Sequence, residues 1–114
     1  MIKLESLKKS NHFKKALSEK QSHNSSFSIF AAKNFLQTKK NCLYISFVMK
    51  KKIGNAVKRN RIRRKLKAVV LKIVKIKGAI NFNYTYIVFG KSKSYLEKHD
   101  KLYLKMIKSF KALN

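Results

Sequence analysis

A stripe of apolar residues lies beneath the most basic stretch of this chain. Seven of the ten positions from Lys58 to Lys67 are Lys or Arg, and like charges three or four apart on a helix repel by about 0.2–0.5 kcal/mol per pair. Five apolar residues nevertheless recur at the spacing of one helical face: Ile62, Leu66, Val69, Val70 and Ile73. At roughly 100° per residue, Asn60, Arg64 and Lys67 fall on the opposite side, with Arg63 beside them. The pattern predicts an amphipathic helix, reaching about residue 77, whose outer face is cationic.

The charge balance indicates a polyanionic partner. Twenty-nine Lys and Arg against four acids give a formal charge of +25, so most cations have no carboxylate to pair with. All four arginines lie between positions 59 and 64. Because the planar guanidinium makes forked contacts with phosphate that lysine cannot make, this clustering favours a nucleic-acid contact over a merely solvated helix face. An anionic membrane surface is the second candidate.

Few side chains are suited to catalysis. The acids are Glu5, Glu19, Glu97 and Asp100, of which only the last two lie close together, near a helix start where the dipole favours negative charge. Neither metal-ligand spacing of Cys and His nor a glycine-rich phosphate loop is present, and the single cysteine, Cys42, is expected to be buried. Because no apolar run has the length of a signal sequence or membrane span, we expect a cytoplasmic protein.

Periodicity and turn signals predict one domain over residues 1–114, an α/β sandwich with one sheet. Gly78 is a stop signal for the basic helix, and the polar stretch 18–26 is consistent with either an edge strand or a loop. The predicted elements are a helix at 6–17, strands at 27–32, 42–50 and 84–90, the basic helix between the last two strands, and a final helix from about residue 95.

Two opposite faces are predicted for the strand at 42–50, since side chains alternate along a strand. One face carries Ile45, Phe47 and Met49, and the other carries Tyr44, Ser46, Val48 and Lys50. The sequence leaves open whether four aromatic residues belong to the core or to a surface on which bases stack: Phe13, Phe27, Phe30 and Tyr44.

The stretch "KKIGNAVKRNRIRRKLK", residues 51–67, closely resembles the protein subunit of bacterial ribonuclease P. The hallmark of that family is an Arg-Asn-Arg helix that follows a strand ending in basic residues and Ile/Val-Gly-Asn-Ala. Weaker similarity covers most of the chain, including "LKKSNHFKKAL", "FSIF" and "YIVFGK". The resemblance implies an α-β-β-β-α-β-α fold of the α+β type, with one mixed four-stranded sheet and a left-handed crossover at the basic helix.

The resemblance also implies a function and two binding sites. Ribonuclease P removes the 5′ leader of precursor tRNA by magnesium-dependent endonucleolytic hydrolysis, in which Mg²⁺ acts with the catalytic RNA and the protein supplies neither catalytic nor metal-binding residues. The residues implied to bind the catalytic RNA are Lys51, Lys52, Asn55, Lys58, Arg59, Asn60, Arg61, Arg63, Arg64 and Lys67. Those implied to line a cleft for the single-stranded leader are Phe13, Leu17, Phe30, Ser46, Val48 and Lys50.

Some of these positions differ from the usual family residues. Lys67 stands where Arg is usual, Leu17 replaces a frequent aromatic residue, and Ser46, Val48 and Lys50 replace Gly, Ser and Ser. The expected partners are ribonuclease P RNA and precursor tRNA, with no membrane and no obligate protein partner. The alternative is a structural RNA-binding protein, such as a small ribosomal protein. A free membrane-surface helix or a DNA-binding helix module is disfavoured by the predicted strands on both sides of the basic helix.

Overall fold

The computed structural model describes residues 2–35 and 41–113. In these ranges the chain forms a five-stranded sheet, three α-helices and two short 3-10 turns. The strands are β1 Lys3–Glu5, β2 Lys20–His23, β3 Phe27–Lys33, β4 Cys42–Val48 and β5 Tyr84–Gly90. The helices are α1 Ser10–Ala16, α2 Ala56–Ile73 and α3 His99–Leu113, and the 3-10 turns are Lys51–Ile53 and Ser92–Tyr95.

The sheet is mixed, as predicted, with strand order β1-β4-β5-β3-β2. β4 and β5 are parallel neighbours, and α2 is the crossover that joins them. β3 pairs antiparallel with both β5 and β2. The edge strand that the polar stretch left open is therefore present, as β2, whereas the hand of the crossover stays a prediction.

The sheet has one strand more than predicted, because residues 3–5 are extended and pair in parallel with β4. The expected helix at 6–17 is correspondingly shorter and begins at Ser10. Adding β1 satisfies backbone groups along the edge of β4 that would otherwise lack partners. Just after β1, the backbone N–H of Leu7 donates to the hydroxyl of Ser46 at 2.7 Å, which fixes the path of the chain into α1.

The main core lies between one face of the sheet and helices α2 and α3. All five residues of the apolar stripe are fully buried there, which confirms the predicted orientation of α2. Phe27 is also fully buried in this core. The ring of Tyr86 meets Phe110 edge-on at 5.0 Å, and burial raises the pKa of Tyr86 to about 12.

Two further helix boundaries differ from the sequence prediction. α2 ends at Ile73, not near residue 77, because the following hydrogen bonds are of the tighter i to i+3 kind, from Ile76 to Ile73 and from Ala79 to Ile76. Gly78, at φ +81°, lies within this turn. α3 begins at His99 because the Ser92–Tyr95 turn comes first.

A second, smaller core lies on the opposite face of the sheet, beneath α1. Its buried residues are Leu7, Ala16 and Ile87, and the partly buried side chains packed on them are Phe13, Phe30, Phe35, Val48 and Phe89. The alternation predicted for β4 is confirmed, because Ile45 and Met49 lie in the main core and Val48 in the second. The open end of this second core forms the cleft described below.

Candidate nucleic-acid interface

The basic helix α2 begins with a defined cap. The side-chain oxygen of Asn55 accepts a hydrogen bond from the backbone N–H of Lys58 at 2.9 Å, which satisfies one of the unpaired donors of the first helical turn. Gly54, just before it, has φ +155°, and a Cβ there would lie 2.8 Å from Cδ of Lys58. The Gly-Asn pair therefore sets where the run of charges becomes helical.

The outer face of α2 is open and cationic. Asn60, Arg64 and Lys67 are exposed, and Arg63 donates to the side-chain oxygen of Asn60 at 2.6 Å. Within residues 2–35 and 41–113, the ion pairs are Lys3–Glu5 and Lys105–Glu97, and neither involves α2. The guanidinium groups of this face are thus not neutralised by carboxylates of the described chain.

One flank of α2 packs against the Ser92–Tyr95 turn. Lys58 Nζ lies 5.2 Å from the centre of the Tyr95 ring, and the Arg61 guanidinium lies 5.8 Å from it. Arg61 also donates to the Tyr95 hydroxyl at 3.4 Å. Lys65, one helical turn further on, donates to three backbone carbonyl oxygens, those of Ser94, Tyr95 and Glu97, at 2.9, 3.0 and 2.7 Å.

Three predicted RNA-binding residues have surroundings that the sequence did not indicate. Arg59 is half-buried, and its Nε is enclosed without a hydrogen-bond partner among the described residues. Lys51 and Lys52 are exposed on the Lys51–Ile53 turn, which leads from β4 into the helix cap. This turn connects the basic face of α2 to the cleft on the other side of the sheet.

The cleft beside α1 is a cavity of about 590 Å³. Its lining residues are Leu17, His23, Ser28, Phe30, Lys50, Lys52, Ile53, Phe89, Gly90, Lys91 and Ser92. Of the six residues predicted for the leader cleft, Leu17, Phe30 and Lys50 are brought together here. The other three are not among the lining residues: Phe13 and Val48 pack on the second core, and Ser46 is buried, with its hydroxyl bound to the backbone N–H of Leu7.

An aromatic row forms one wall of this cavity. Phe30 meets His23 and Phe89 edge-on, with ring centres 5.5 Å apart in each pair. Lys50 Nζ lies 6.0 Å from the centre of the Phe89 ring, and His23 exchanges hydrogen bonds with Ser28 and Gln21 at 2.7 and 2.8 Å. A wall of rings bordered by cations suits stacked bases and their phosphates.

Sequence reasoning missed His23 and Phe89 as members of this wall. The pairing of β2 with β3 sets His23 opposite Ser28, and that of β3 with β5 sets Ser28 opposite Phe89. The nearly continuous apolar run of β5 gave no alternation that assigns Phe89 to a face. The signal for this wall is one aromatic ring on each of the neighbouring strands β2, β3 and β5. It can be recognised only when the strand order is known.

Two other kinds of site are absent from the described residues. No helix among them is long and apolar enough to cross a membrane. They also contain no group of three or more His, Cys, Asp or Glu side chains that could hold a metal ion.

Comparison with solved structures identifies the fold. The RNase P protein from Thermotoga maritima matches with a TM-score of 0.73 at 20% identity, over 96% of this chain and 98% of that one. An RNase P protein structure from Staphylococcus aureus matches with a TM-score of 0.70 at 20% identity, over 96% and 94% of the two chains. A second Staphylococcus aureus structure matches with a TM-score of 0.56 at 23% identity, over 92% and 90%. At these identities the likeness concerns the fold.

Comparison at the level of sequence identifies the family. No curated protein matches this chain. The family model for Ribonuclease P, however, matches residues 1–114, the whole of the sequence. The chain therefore belongs to the Ribonuclease P family, the family of the protein subunit of bacterial ribonuclease P.

Proposed function

We propose that this chain binds the catalytic RNA of ribonuclease P through α2 and holds the 5′ leader of precursor tRNA in the cleft beside α1. The observation that carries the proposal is the junction of the two surfaces. The exposed arginine face of α2 and the aromatic, lysine-bordered cavity are linked by the three residues of the Lys51–Ile53 turn. One protein surface can thereby contact the RNA subunit and its substrate together.

The α2 face suits a folded RNA because its donors are both exposed and held in place. Arg64 and Lys67 point away from the core, whereas Arg61 is held against Tyr95 and Arg63 against Asn60. Guanidinium forks match phosphate oxygens in two places at once. The face therefore offers forked contacts at the arginines and a point charge at Lys67.

The cavity suits a single strand because rings and cations meet in it. Phe30, Phe89 and His23 present ring surfaces, while Lys50, Lys52 and Lys91 border them. Stacking of a base on an aromatic side chain contributes about 1–3 kcal/mol and does not depend strongly on sequence. This tolerance is what binding of leaders of differing sequence requires.

In this proposal the hydrolysis and its Mg²⁺ ions belong to the RNA subunit. The protein adds positive charge where two RNA chains approach each other, which lowers their repulsion and the concentration of magnesium that they need. Among the described residues, the carboxylates of Glu5 and Glu97 form ion pairs with lysines.

RNA binding is tested by a salt series with the matching ribonuclease P RNA. If about 6–10 phosphates are neutralised, the affinity should fall by roughly 10³–10⁵ between 50 and 200 mM salt. Arg64→Ala should weaken binding more than Lys111→Ala, which removes an exposed charge from the far end of α3. Equal losses would mean that the charge acts in bulk, without a dedicated face.

Leader binding is tested by comparing precursor tRNA with mature tRNA as ligands of the reconstituted holoenzyme. Phe30→Leu removes a ring of the cavity wall. It should weaken binding of precursor tRNA and leave binding of mature tRNA unchanged. Lys33→Gln, a change at the exposed end of β3, is the control. A structural RNA-binding protein, the alternative, would bind its RNA without any preference for a leader.

A further inference from the structure

We propose that the RNA-binding surface continues from α2, across the Ser92–Tyr95 turn, into a second phosphate-binding groove at the start of α3. This α3 groove encloses about 430 Å³ and is lined by Lys93, Leu96, Glu97, Lys98, Lys101 and Lys105. Its occupant would be the phosphate backbone of the ribonuclease P RNA, at a stretch distinct from the one on α2. The proposal rests on the proposed function and extends its contact surface.

The α3 groove carries an excess of positive charge. Its single lining carboxylate is that of Glu97, whose side chain is only 5% exposed and already lies 2.6 Å from Lys105 Nζ. The same carboxylate accepts a hydrogen bond from the Ser26 hydroxyl at 2.9 Å. Lys98 and Lys101 are exposed and form no ion pair within the described residues. Lys93 is also exposed and outside the ion pairs of the described residues; it donates to the Ser25 hydroxyl at 3.4 Å and interacts electrostatically with Glu97. Three ammonium groups are therefore available to an anion from outside.

The lysines reach the groove from three different backbone segments. Lys93 belongs to the Ser92–Tyr95 turn, Lys98 to the connection that follows, and Lys101 to the first turn of α3. Repulsion between like charges would favour side chains that spread apart in water. Their convergence on one concave surface suits an extended polyanion better than it suits isolated, fully hydrated lysines.

The support of the groove is fixed to α2. Lys65 of α2 donates to the carbonyl oxygens of Ser94, Tyr95 and Glu97, so the segment that carries Lys93 and Lys98 is held at a set distance from the helix. Ser94 is also buried and donates to the Lys91 carbonyl at 2.6 Å. A preorganised surface of this kind loses less conformational entropy when it binds.

The groove and the α2 face are continuous through Tyr95. Its ring lies against Lys58 and Arg61 of α2, and it belongs to the same four-residue turn as Lys93. Leu96, which follows, lines the groove with 86% of its surface exposed, so an apolar side chain is available beside the ammonium groups for contact with sugars. A nucleic-acid backbone presents this combination of charged phosphates and less polar sugars.

The experiment compares two triple variants of the full chain in the salt series with ribonuclease P RNA. The first replaces Lys93, Lys98 and Lys101 by Gln. The matched control makes the same change at Lys33, Lys75 and Lys77, which are also exposed. Each phosphate contact contributes about 0.9 to the slope of log affinity against log salt concentration. The groove variant should flatten the slope by about 2–3 and weaken RNA binding roughly 10–100-fold near 150 mM salt. The control variant should change the slope by less than about 1.

Two further measurements separate the possible causes. Lys→Arg changes at the same three positions keep the charge and should keep the wild-type slope. A flattened slope in the Gln variant alone then reflects the lost charge and not a folding defect. Thermal unfolding of each variant verifies that it is folded. If the wild type itself shows a flat slope, the proposed function fails. If the wild-type slope is steep and the groove variant equals the control, the α3 groove is overturned and the function stands.

Discussion

Lys65 Nζ lies 2.7 Å from the carbonyl oxygen of Glu97, so that the middle of α2 is tied to the segment that precedes α3. Burial, followed by the charge of Arg61, lowers the pKa of Lys65 from its ordinary value. Lys65 thus has a structural role within the basic run, because its ammonium group donates to three backbone carbonyl oxygens of the protein. Its neighbours Arg64 and Lys67 remain exposed to solvent.

Lys65→Met should destabilise the fold, because it leaves three carbonyl oxygens without their donor. A hydrogen bond to a charged group contributes about 1.5–3 kcal/mol, and water can replace part of this at a half-buried site. We therefore expect a loss of about 1–3 kcal/mol in the free energy of unfolding, measured by urea denaturation. Lys67→Met, at an exposed position, should change it by less than about 0.5 kcal/mol. Equal effects would contradict the role given to Lys65.

Asn55→Ala should lower stability by about 1 kcal/mol, the usual effect of losing a helix N-cap. Asn55→Ser retains a side-chain acceptor and should recover most of this loss. The two variants also separate the role of Asn55 as a helix cap from a role in RNA binding, to which the family resemblance assigns it. If Asn55→Ser restores stability and leaves RNA affinity reduced, the amide contacts RNA directly, whereas recovery of both indicates the cap alone.

Tyr95 is expected to position Arg61 and Lys58. Tyr95→Leu removes a ring that contacts both cations, each such contact being worth about 0.5–1 kcal/mol at an exposed site. RNA affinity should then fall roughly 5–10-fold, with an unchanged salt slope because no charge is lost. Tyr95→Phe removes only the 3.4 Å hydrogen bond to Arg61 and should have the smaller effect. A changed slope in Tyr95→Leu would show that Tyr95 does more than position the two cations.

The ion pair between Glu97 and Lys105 should make stability depend on acid pH. The hydrogen bond from Lys105, followed by that from Ser26, lowers the pKa of Glu97 from its ordinary value of 4.5, against the opposing effect of burial. A carboxyl whose pKa is lower in the folded state stabilises above its unfolded value, and the stabilisation is lost as pH falls below it.

The check is urea unfolding between pH 3 and 6, in which wild-type stability should decline below about pH 4.5. Both Glu97→Gln and Lys105→Gln should reduce the steepness of this decline, the first by removing the titrating group and the second by removing the main cause of its lowered pKa. A decline that is unchanged in both variants would exclude Glu97 as its source.

The interior of the main core was predictable from sequence because its periodicity is local. The helical spacing of the apolar residues from Ile62 to Ile73 predicts that they are buried. The alternation that includes Ile45 and Met49 predicts which face of the sheet they occupy. The added strand β1 was not predictable, since only three residues form it and their pairing with β4 depends on chain path. The position of Glu97 just before α3 was predicted, whereas its ion pair with Lys105, within α3, was not.

The cleft was predictable only in part, because its walls come from distant segments. Phe30, Leu17 and Lys50 were implied by resemblance, whereas His23 and Phe89 required the strand register. Ser46 was expected at the cleft surface, but its hydroxyl is bound to the N–H of Leu7, a contact made by the unanticipated N-terminal strand segment. The functional roles of all these residues stay predictions.

The most direct test of the central claim is removal of the 5′ leader from precursor tRNA by the matching ribonuclease P RNA at low magnesium. The rate is measured with the RNA alone, with wild-type protein and with Arg64→Ala. We predict rapid cleavage only when wild-type protein is present, and a need for more magnesium with Arg64→Ala. Cleavage that is indifferent to the protein, while RNA binding remains intact, would contradict the claim and favour a structural RNA-binding role.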